Sequence, residues 1–377
     1  MSPSGRTREG MLILLILCSA ISFIACAVLI RYGHAVARRY AMTPQRFHAG
    51  DVPRLGGVAV MVSCTAGWLW MLVAERFLAI RNLIPFDPPF VLGLWFVTLL
   101  ALAGGLGEDV THRLKAAWRL VFTLLAGAVA AWLLSISIPR LGIPLLDMWW
   151  AAHPWLGIAL AIVAVAGLPH AFNLIDGYNG LAGLVAVICC FALAYVALLV
   201  GDRQIAAVVL VVAGATAGFL VWNYPHGLIF AGDGGAYLWG AVIALASILL
   251  VQRHEQVSPW FPMLLLVYPV LETLFSIYRK AARGQSPGVA DALHFHQLIY
   301  RRIVREVFDD DESRRMLMRN NRTSPYLWGF AMLTVLPAAL LWNRTLPLIA
   351  FTLLATVTYV WAYVSIVRFK VPRWVRR

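Results

Sequence analysis

Runs of about 20 apolar residues recur from one end of this chain to the other. A run of this length crosses the hydrocarbon core of a bilayer as a single helix, because a helix satisfies its own backbone hydrogen bonds. The residues are 61% hydrophobic and 13% charged, which excludes a water-soluble protein of 377 residues. The sequence therefore predicts an all-α polytopic membrane protein that forms a single domain over residues 1–377.

The apolar runs predict eleven membrane spans, with boundaries uncertain by several residues. The first run is expected to be a retained span, because it lacks a small-residue cleavage site and Arg31 follows it directly. Only the connection at 279–324 is long enough to cover a site. The spans are expected at 11–31, 55–74, 89–107, 117–135, 155–172, 181–200, 204–221, 235–251, 261–278, 325–342 and 346–366.

Basic residues are concentrated in alternate loops, so the net charge of +13 is a topology signal and not a sign of nucleic-acid binding. The positive-inside rule places these loops in the cytoplasm and, with an odd number of spans, the N-terminus outside. The basic loops are 32–54, 108–116, 173–180, 222–234, 279–324 and the tail after 366.

The five cysteines lie within apolar runs and fit neither a zinc site nor a disulfide framework.

Polar side chains between the runs at 155–172 and 181–200 are costly near a membrane and therefore typical of function. His170, Asn173 and Gly177 share one face of a helix, with Asp176 beside them. A polar loop would account for this stretch alone. Four further polar clusters are predicted at the same membrane face, at 53–57, 107–119, 230–235 and 283–297.

Each of these clusters has a structural alternative. Glu108 and Asp109, followed by bases, suit a divalent cation with a phosphorylated ligand, but a helix-end ion pair with Arg113 is equally open. Asp233, in a glycine-flanked turn before a span, suits a metal-bridged diphosphate at helix amides, or is a simple N-cap.

The histidine cluster and the acid before it are open in the same way. His294 and His296 face one side of an extended segment and suit phosphate binding or proton transfer; otherwise they are solvated. Two histidines without a third ligand argue against zinc. Glu272, near the end of the ninth span, pairs by default with an arginine.

In this order the clusters resemble those of the polyprenyl-phosphate N-acetylhexosamine-1-phosphate transferases, glycosyltransferase family 4. This superfamily also includes the phospho-MurNAc-pentapeptide transferases. The resemblance runs from Pro53 to Arg302 and includes the eleven-span layout of the N-acetylglucosamine branch. The matching motifs are Pro53-Arg54-x-Gly56-Gly57, the acidic pair at 108–109, Asn173-x-x-Asp176-Gly177, and the Gly232-Asp233 turn.

The resemblance implies a site at the cytoplasmic ends of the helices, with Phe230 stacking on uracil. The implied catalytic residues are Asp109, Asp176, Glu108, His294 and His296. The implied substrate-binding residues are Arg54, Asn173, Asn179, Phe230, Arg119, Glu272 and Arg302. The implied ligands of Mg²⁺, or of Mn²⁺ as an alternative, are Asp233 and Asp109.

The implied reaction moves a sugar-1-phosphate from a UDP-N-acetylhexosamine to undecaprenyl phosphate in the bacterial cytoplasmic membrane. Phe47, His170, Asn179 and Gln297 depart from the family pattern, and the basic pair after the acidic motif is reduced to Arg119 with an offset Lys115. These departures favour the branch that initiates O-antigen or exopolysaccharide synthesis over the peptidoglycan branch, which stays the first alternative.

A transporter or flippase of lipid-linked sugars is the alternative from another class. That function predicts polar residues near mid-membrane and repeat symmetry, whereas this chain keeps its polar clusters at one face. The sequence leaves open the identity of the sugar and whether a second copy of the chain is a partner. It also leaves open whether the lipid phosphate attacks the nucleotide sugar directly or an aspartyl-phosphate forms first.

Overall fold

A computed structural model describes residues 3–37, 52–77, 87–284, 293–304 and 311–368. All regular secondary structure in these residues is helical, which confirms the predicted all-α fold. The helices are α1 (Pro3–Ala37), α2 (Gly56–Phe77), α3 (Pro88–Thr111), α4 (Ala116–Leu133), α5 (Pro144–Ala151), α6 (Pro154–Ile175), α7 (Leu181–Leu199), α8 (Arg203–Asn223), α9 (Gly232–Arg253), α10 (Trp260–Leu265), α11 (Val267–Ala282), α12 (Phe295–Arg302), α13 (Glu312–Leu340) and α14 (Thr345–Val367).

Nine of the described helices, α1–α4, α6–α9 and α14, are long and apolar enough to cross a membrane. The chain is therefore a multi-pass membrane protein. The predicted span at 261–278 is instead divided into α10 and α11, which meet at Leu266. Pro269 follows this junction and has no backbone N–H with which to continue the helical hydrogen bonds. The predicted number of eleven spans is thus not confirmed.

The α9 helix forms the centre of the bundle, and its apolar span is entirely buried. It packs against α2, α3, α6 and α7, and the indole N–H of Trp239 donates to the Thr216 hydroxyl of α8 at 2.8 Å. The α1, α4 and α14 helices are peripheral, each with 22% of its span buried, as expected for lipid-facing helices. The N-terminus of α9 is consequently surrounded by the ends of its neighbours.

The short α5 helix was not predicted, because its eight residues fall in the connection between the fourth and fifth spans. Asp147 in its first turn accepts the backbone N–H of Leu141 at 2.5 Å. Nearby, the Arg140 guanidinium donates to four backbone carbonyls at the C-terminal end of α9. This end of the bundle is therefore fixed by polar contacts of its own, away from the N-terminus of α9.

Candidate active site

The carboxylate of Asp109 joins the last turn of α3 to the first turn of α9. Its Oδ1 accepts the backbone N–H of Asp233 at 3.0 Å, and its Oδ2 accepts that of Gly234 at 2.8 Å. Amides in the first turn of a helix have no partner within the helix, and the helix dipole favours a negative charge there. The sequence left open whether these amides face a diphosphate or Asp233 is the N-cap of the helix. In the structure Ala231 is the N-cap, and the Asp109 carboxylate accepts the two amides.

The segment before α2 runs alongside the segment before α9. The backbone N–H of Phe230 donates to the Pro53 carbonyl at 3.0 Å, and the N–H of Gly56 donates to the Phe230 carbonyl at 2.8 Å. The N–H of Gly57 donates to the next carbonyl at 2.9 Å. This pairing brings half-buried Arg54 and Phe230 to the N-terminus of α9.

Two glycines permit this close approach. Gly232 has a φ of +71°, and a Cβ there would lie 2.5 Å from the Asp109 Oδ2 and 2.7 Å from the Arg54 carbonyl oxygen. A Cβ on Gly57 would overlap the backbone of Gly235. Glycine alone adopts such a φ at no steric cost, and it lacks the atom that would collide.

Arg119 supplies a positive charge to the same place from the first turn of α4. Its guanidinium forms a short ion pair with the Asp233 carboxylate, and the two side chains are 24% and 14% exposed. The α4 helix is thereby connected to α9. A metal ion or phosphate bound at Asp233 would therefore share this carboxylate with Arg119.

Asp176 lies just beyond the membrane-spanning part of α6, in the turn that leads to α7. The pKa of its carboxyl is raised from 3.8 to about 7. Removal from water is the largest cause, the negative charge of Asp233 adds to the shift, and the positive charge of Arg54 opposes it. Charge interactions weaken with distance. Asp176 therefore belongs to the same electrostatic site as Asp233 and Arg54.

The raised pKa predicts how metal-free protein responds to pH. A carboxyl that holds its proton more tightly when folded stabilises the native state below its unfolded pKa, and this stability is lost as the pH rises through the folded pKa. In EDTA we expect the midpoint of thermal unfolding to fall as the pH rises from about 4 to about 7, the interval between the ordinary and the raised pKa. Asp176→Asn should flatten this decline, and an equal decline in both proteins would contradict the assignment.

The histidine motif reaches this turn from α12. His294 is the N-cap of α12, and its ring lies parallel to that of His296, with centroids 5.4 Å apart and planes at 8°. A Cβ on Gly177 would lie 3.0 Å from the His296 Nε2, so this ring lies against the Asp176–Gly177 turn. Ser286, Pro287 and Asp291, which precede these histidines, and Phe47 lie outside the described residues.

Other polar residues of α6 and α11 contact neighbouring helices. The His170 ring lies between the Thr123 hydroxyl at 3.1 Å and the Tyr237 hydroxyl at 2.9 Å. Asn173, one turn further along α6, also interacts with Tyr237. Glu272 is fully buried in α11 and accepts the backbone N–H of Phe295 in α12 at 2.8 Å.

Two residues predicted for the site, Glu108 and Arg302, form hydrogen bonds with backbone groups. Glu108 accepts the backbone N–H of Leu114 at 2.9 Å and so closes the turn between α3 and α4. Arg302 donates to the carbonyls of Ile366 and Val367, both at 2.6 Å, at the end of α14. A cation at a helix C-terminus satisfies exposed carbonyls and complements the dipole. Glu108 also interacts electrostatically with Arg119, the partner of Asp233.

Asn179 is 2% exposed and is held by α13. Its backbone N–H donates to Asn320 at 2.8 Å, and its side-chain amide donates to Asn321 at 3.0 Å. Its carbonyl accepts the Ser324 hydroxyl at 2.6 Å, and the next carbonyl accepts the Trp328 indole at 3.1 Å. These contacts support the turn that carries Asp176, and no sequence pattern predicted them, because their partners are 141 to 148 positions apart.

Asn223 also supports this turn, and the sequence analysis did not identify it. Its Oδ1 accepts the backbone N–H of Gly180 at 2.7 Å, and its Nδ2 donates to the Ile229 carbonyl at 2.8 Å. It therefore ties the turn after α6 to the segment before α9. A polar residue at the end of a span is the signal that would have identified it.

The site offers oxygen ligands but no complete metal cage. Within the part of the chain that the structure describes, no three His, Cys, Asp or Glu side chains converge on one point. Mg²⁺ requires only one or two carboxylates and otherwise keeps waters or takes phosphate oxygens. Asp109 and Asp233, which meet at the first turn of α9, fit this requirement.

The sequence was compared with characterised proteins. Residues 91–251, which include the Asp109, Asp176 and Asp233 positions, match the profile of glycosyl transferase family 4. A probable undecaprenyl-phosphate N-acetylglucosaminyl 1-phosphate transferase of Bacillus subtilis is 28% identical over 261 residues, 67% of this chain and 66% of that protein. The aligned part thus falls just short of two thirds of that relative's length.

Two further relatives are similar over comparable lengths. An undecaprenyl-phosphate alpha-N-acetylglucosaminyl 1-phosphate transferase of Thermotoga maritima is 26% identical over 69% of this chain and 72% of its own. A phospho-N-acetylmuramoyl-pentapeptide-transferase of Lactococcus lactis subsp. cremoris is 28% identical over 67% of this chain and 75% of its own.

Proposed function

Because the chain belongs to glycosyl transferase family 4, the polyprenyl-phosphate hexosamine-1-phosphate transferases, we propose that it transfers an N-acetylhexosamine-1-phosphate from a UDP-sugar to undecaprenyl phosphate. One observation carries the proposal. Asp109 of α3 and Arg119 of α4 contact the first turn of α9, which carries Asp233, and Asp176 interacts electrostatically with Asp233 and Arg54. Phosphoryl transfer depends mainly on such positioning and charge neutralisation.

The bond changes follow from the substrates. An oxygen of the lipid phosphate forms a bond to the β-phosphorus of the UDP-sugar, and the bond from this phosphorus to the bridging oxygen breaks. The bridging oxygen leaves with UMP, and the lipid retains a diphosphate with the sugar. Asp109 would orient the lipid phosphate or accept its proton, since each carboxylate oxygen keeps a second lone pair beside the amides it binds.

The remaining side chains would bind the nucleotide sugar. Arg54 and Arg119 supply the positive charge that phosphate oxygens require. His294 and His296 would contact phosphate from the α12 side, as part of the 279–324 segment that we propose as the cover of the site. Phe230 would stack on uracil.

Mg²⁺ fits the carboxylates present, and we propose Asp233 and Asp109 as its ligands. When bound, it would withdraw negative charge from the diphosphate. Release of UMP separates this proposal from a transporter, because a transporter breaks no phosphorus–oxygen bond. We further propose that the site faces the cytoplasm of a bacterial inner membrane and initiates an O-antigen or similar polysaccharide.

The peptidoglycan reaction is the second candidate. The Lactococcus lactis relative, which is named for that reaction, aligns over the same share of this chain as the Bacillus subtilis relative, 67%. Both candidates use the same lipid and the same bond changes, and they differ only in the sugar. The donor substrate therefore decides between them.

The test is release of UMP by the full chain purified in detergent. Undecaprenyl phosphate and Mg²⁺ are supplied with each of a panel of UDP-N-acetylhexosamines or with UDP-MurNAc-pentapeptide. We expect one UDP-N-acetylhexosamine to give UMP and a lipid-linked diphospho-sugar, and EDTA to stop the reaction. Turnover of UDP-MurNAc-pentapeptide alone would establish the second candidate, and folded protein silent with every donor would refute both.

A further inference from the structure

The buried carboxylate of Glu272 in α11 contacts two other helices, α12 and α14. Its Oε1 accepts the backbone N–H of Phe295 at 2.8 Å and lies 3.3 Å from the Nδ1 of His296, both in α12. Its Oε2 accepts a short hydrogen bond from the hydroxyl of Tyr359 in α14. Glu272 and Tyr359 are both 0% exposed.

A carboxylate removed from water is costly unless donors satisfy its oxygens. Both oxygens of Glu272 are satisfied, and no solvent reaches them. Such a carboxylate does not contact a phosphate, because two anions would repel each other there. The contacts of Glu272 are instead those of a group that orients an imidazole.

The orientation of His296 follows from this contact. The 3.3 Å contact is at ion-pair distance and is not an aligned hydrogen bond. A carboxylate beside Nδ1 still favours a proton on that nitrogen and leaves Nε2 at the other side of the ring. The Nε2 side faces the backbone of Gly177, where a Cβ would be 3.0 Å away. The ring of Tyr178 lies edge-on to it at 5.5 Å, and the ring of His294 lies parallel to it. His296 is thus fixed on several sides, with Nε2 toward the turn that carries Asp176.

We propose that Tyr359 is a positioning residue that acts through Glu272 to hold the Nε2 of His296 toward the Asp176–Gly177 turn. The inference rests on the proposed function, in which His296 binds a phosphate oxygen. It also gives Glu272 a positioning role in place of the substrate contact that the sequence resemblance implied. The last helix of the bundle thereby contributes to the site without approaching the substrate.

Loss of the Tyr359 hydroxyl would leave the Oε2 of Glu272 without its donor, so the carboxylate would rotate or redistribute its contacts with His296. Removal of a supporting group behind a functional histidine lowers activity by about 10-fold in comparable arrangements. We expect Tyr359→Phe to lower kcat by about 10-fold and to leave KM for the UDP-sugar within about twofold. A residue that acted only on general stability would lower the fraction of active protein and leave its pH and ligand responses unchanged.

Tyr268→Phe is the matched control. Tyr268 lies one turn before Glu272 on the same helix and is 1% exposed, and among the described residues its hydroxyl has no hydrogen-bond partner. The control therefore removes the same atom near the same carboxylate without removing a contact. We expect it to retain the kcat of the unmodified chain.

A second readout does not depend on turnover. In protein labelled with ¹⁵N at its histidines, His296→Gln identifies the His296 ring signals, and these report protonation and hydrogen bonding at Nδ1 and Nε2. We expect Tyr359→Phe to shift the His296 signals and Tyr268→Phe to leave them in place. Glu272→Gln should lower kcat, and addition of Tyr359→Phe should cause no further loss, because both act through one group.

The two proposals fail in different ways. An active enzyme whose Tyr359→Phe variant keeps its kcat and its His296 signals would overturn the positioning role and leave the transfer reaction intact. An unmodified chain that transfers no sugar would overturn the reaction. In that case the His296 signals alone decide whether Tyr359 sets the ring, and unchanged signals refute it.

Discussion

Asp109→Asn is expected to lower sugar-phosphate transfer by about 10³-fold, the loss typical when one preorganised charged group is removed from a polar site. It should also lower the midpoint of thermal unfolding by several degrees. The two amides of α9 bind different oxygens of Asp109, so in this orientation an asparagine would keep an acceptor at one amide and place its N–H₂ group against the other. A buried donor left without a partner costs about 1–3 kcal/mol.

Asp233→Asn separates catalysis from capping. Asp233 contributes only its backbone N–H to the contact with Asp109, and its side chain pairs with the partly exposed Arg119. We therefore expect the same loss of transfer of about 10³-fold with a smaller change in thermal stability. Both quantities are measured on the same detergent preparations, by UMP release and by thermal unfolding.

Asp87→Asn is the control for this pair. Asp87 is exposed at the other end of α3 and makes no side-chain capping bond. It should match the unmodified chain in both measurements. Undiminished UMP release by folded Asp109→Asn or Asp233→Asn protein would falsify the assignment of these carboxylates to the reaction.

Gly232→Ala is expected to disrupt the site by steric means alone. A left-handed φ costs a non-glycine residue about 1–2 kcal/mol, and Gly232 has a φ of +71°. In addition, the new methyl group would meet the Asp109 carboxylate and the Arg54 carbonyl at distances that no carbon–oxygen contact tolerates. We expect transfer to be lost and the thermal midpoint to fall further than in Asp109→Asn.

Gly201→Ala separates the two contributions. Gly201 has a φ of +84°, and nothing lies within 4 Å of a Cβ placed there. This variant has the backbone strain without the collision and should keep full transfer activity with a small loss of stability. Equal behaviour of the two variants would mean that the crowding at Gly232 has no effect on the site.

Much of the helical architecture follows from the apolar runs, because each run must cross the same thickness of bilayer. The predicted runs end a few residues early at the site, however. The α3 helix continues from residue 107 to Thr111, and α6 continues from residue 172 to Ile175. A hydropathy pattern detects where apolar residues end, whereas a helix continues for as long as its backbone groups find partners.

The sequence singled out the polar residues of the candidate site, but it did not predict which groups each of them contacts. The order of the clusters predicted that Arg54, Asp109, Asp176 and Asp233 would lie near one another. In the structure Asp109 and the Arg54 backbone lie at the first turn of α9, and Asp176 interacts electrostatically with Asp233. The sequence did not reveal that Asp109 caps α9 or that Arg302 binds the end of α14. Such pairings depend on which helices are neighbours, and one chain's hydrophobic pattern does not specify that.

The hydrogen bonds between α13 and Asn179 have a consequence for any attempt to shorten this protein. The part that matches the family profile ends at residue 251, whereas four of the hydrogen bonds that support the turn after α6 come from residues 320–328. A fragment that stopped where the profile stops would retain Asp109, Asp176 and Asp233, but of the contacts described above only those of Asn223 would still support this turn. A shortened chain that is to keep all of these bonds must extend through residue 328.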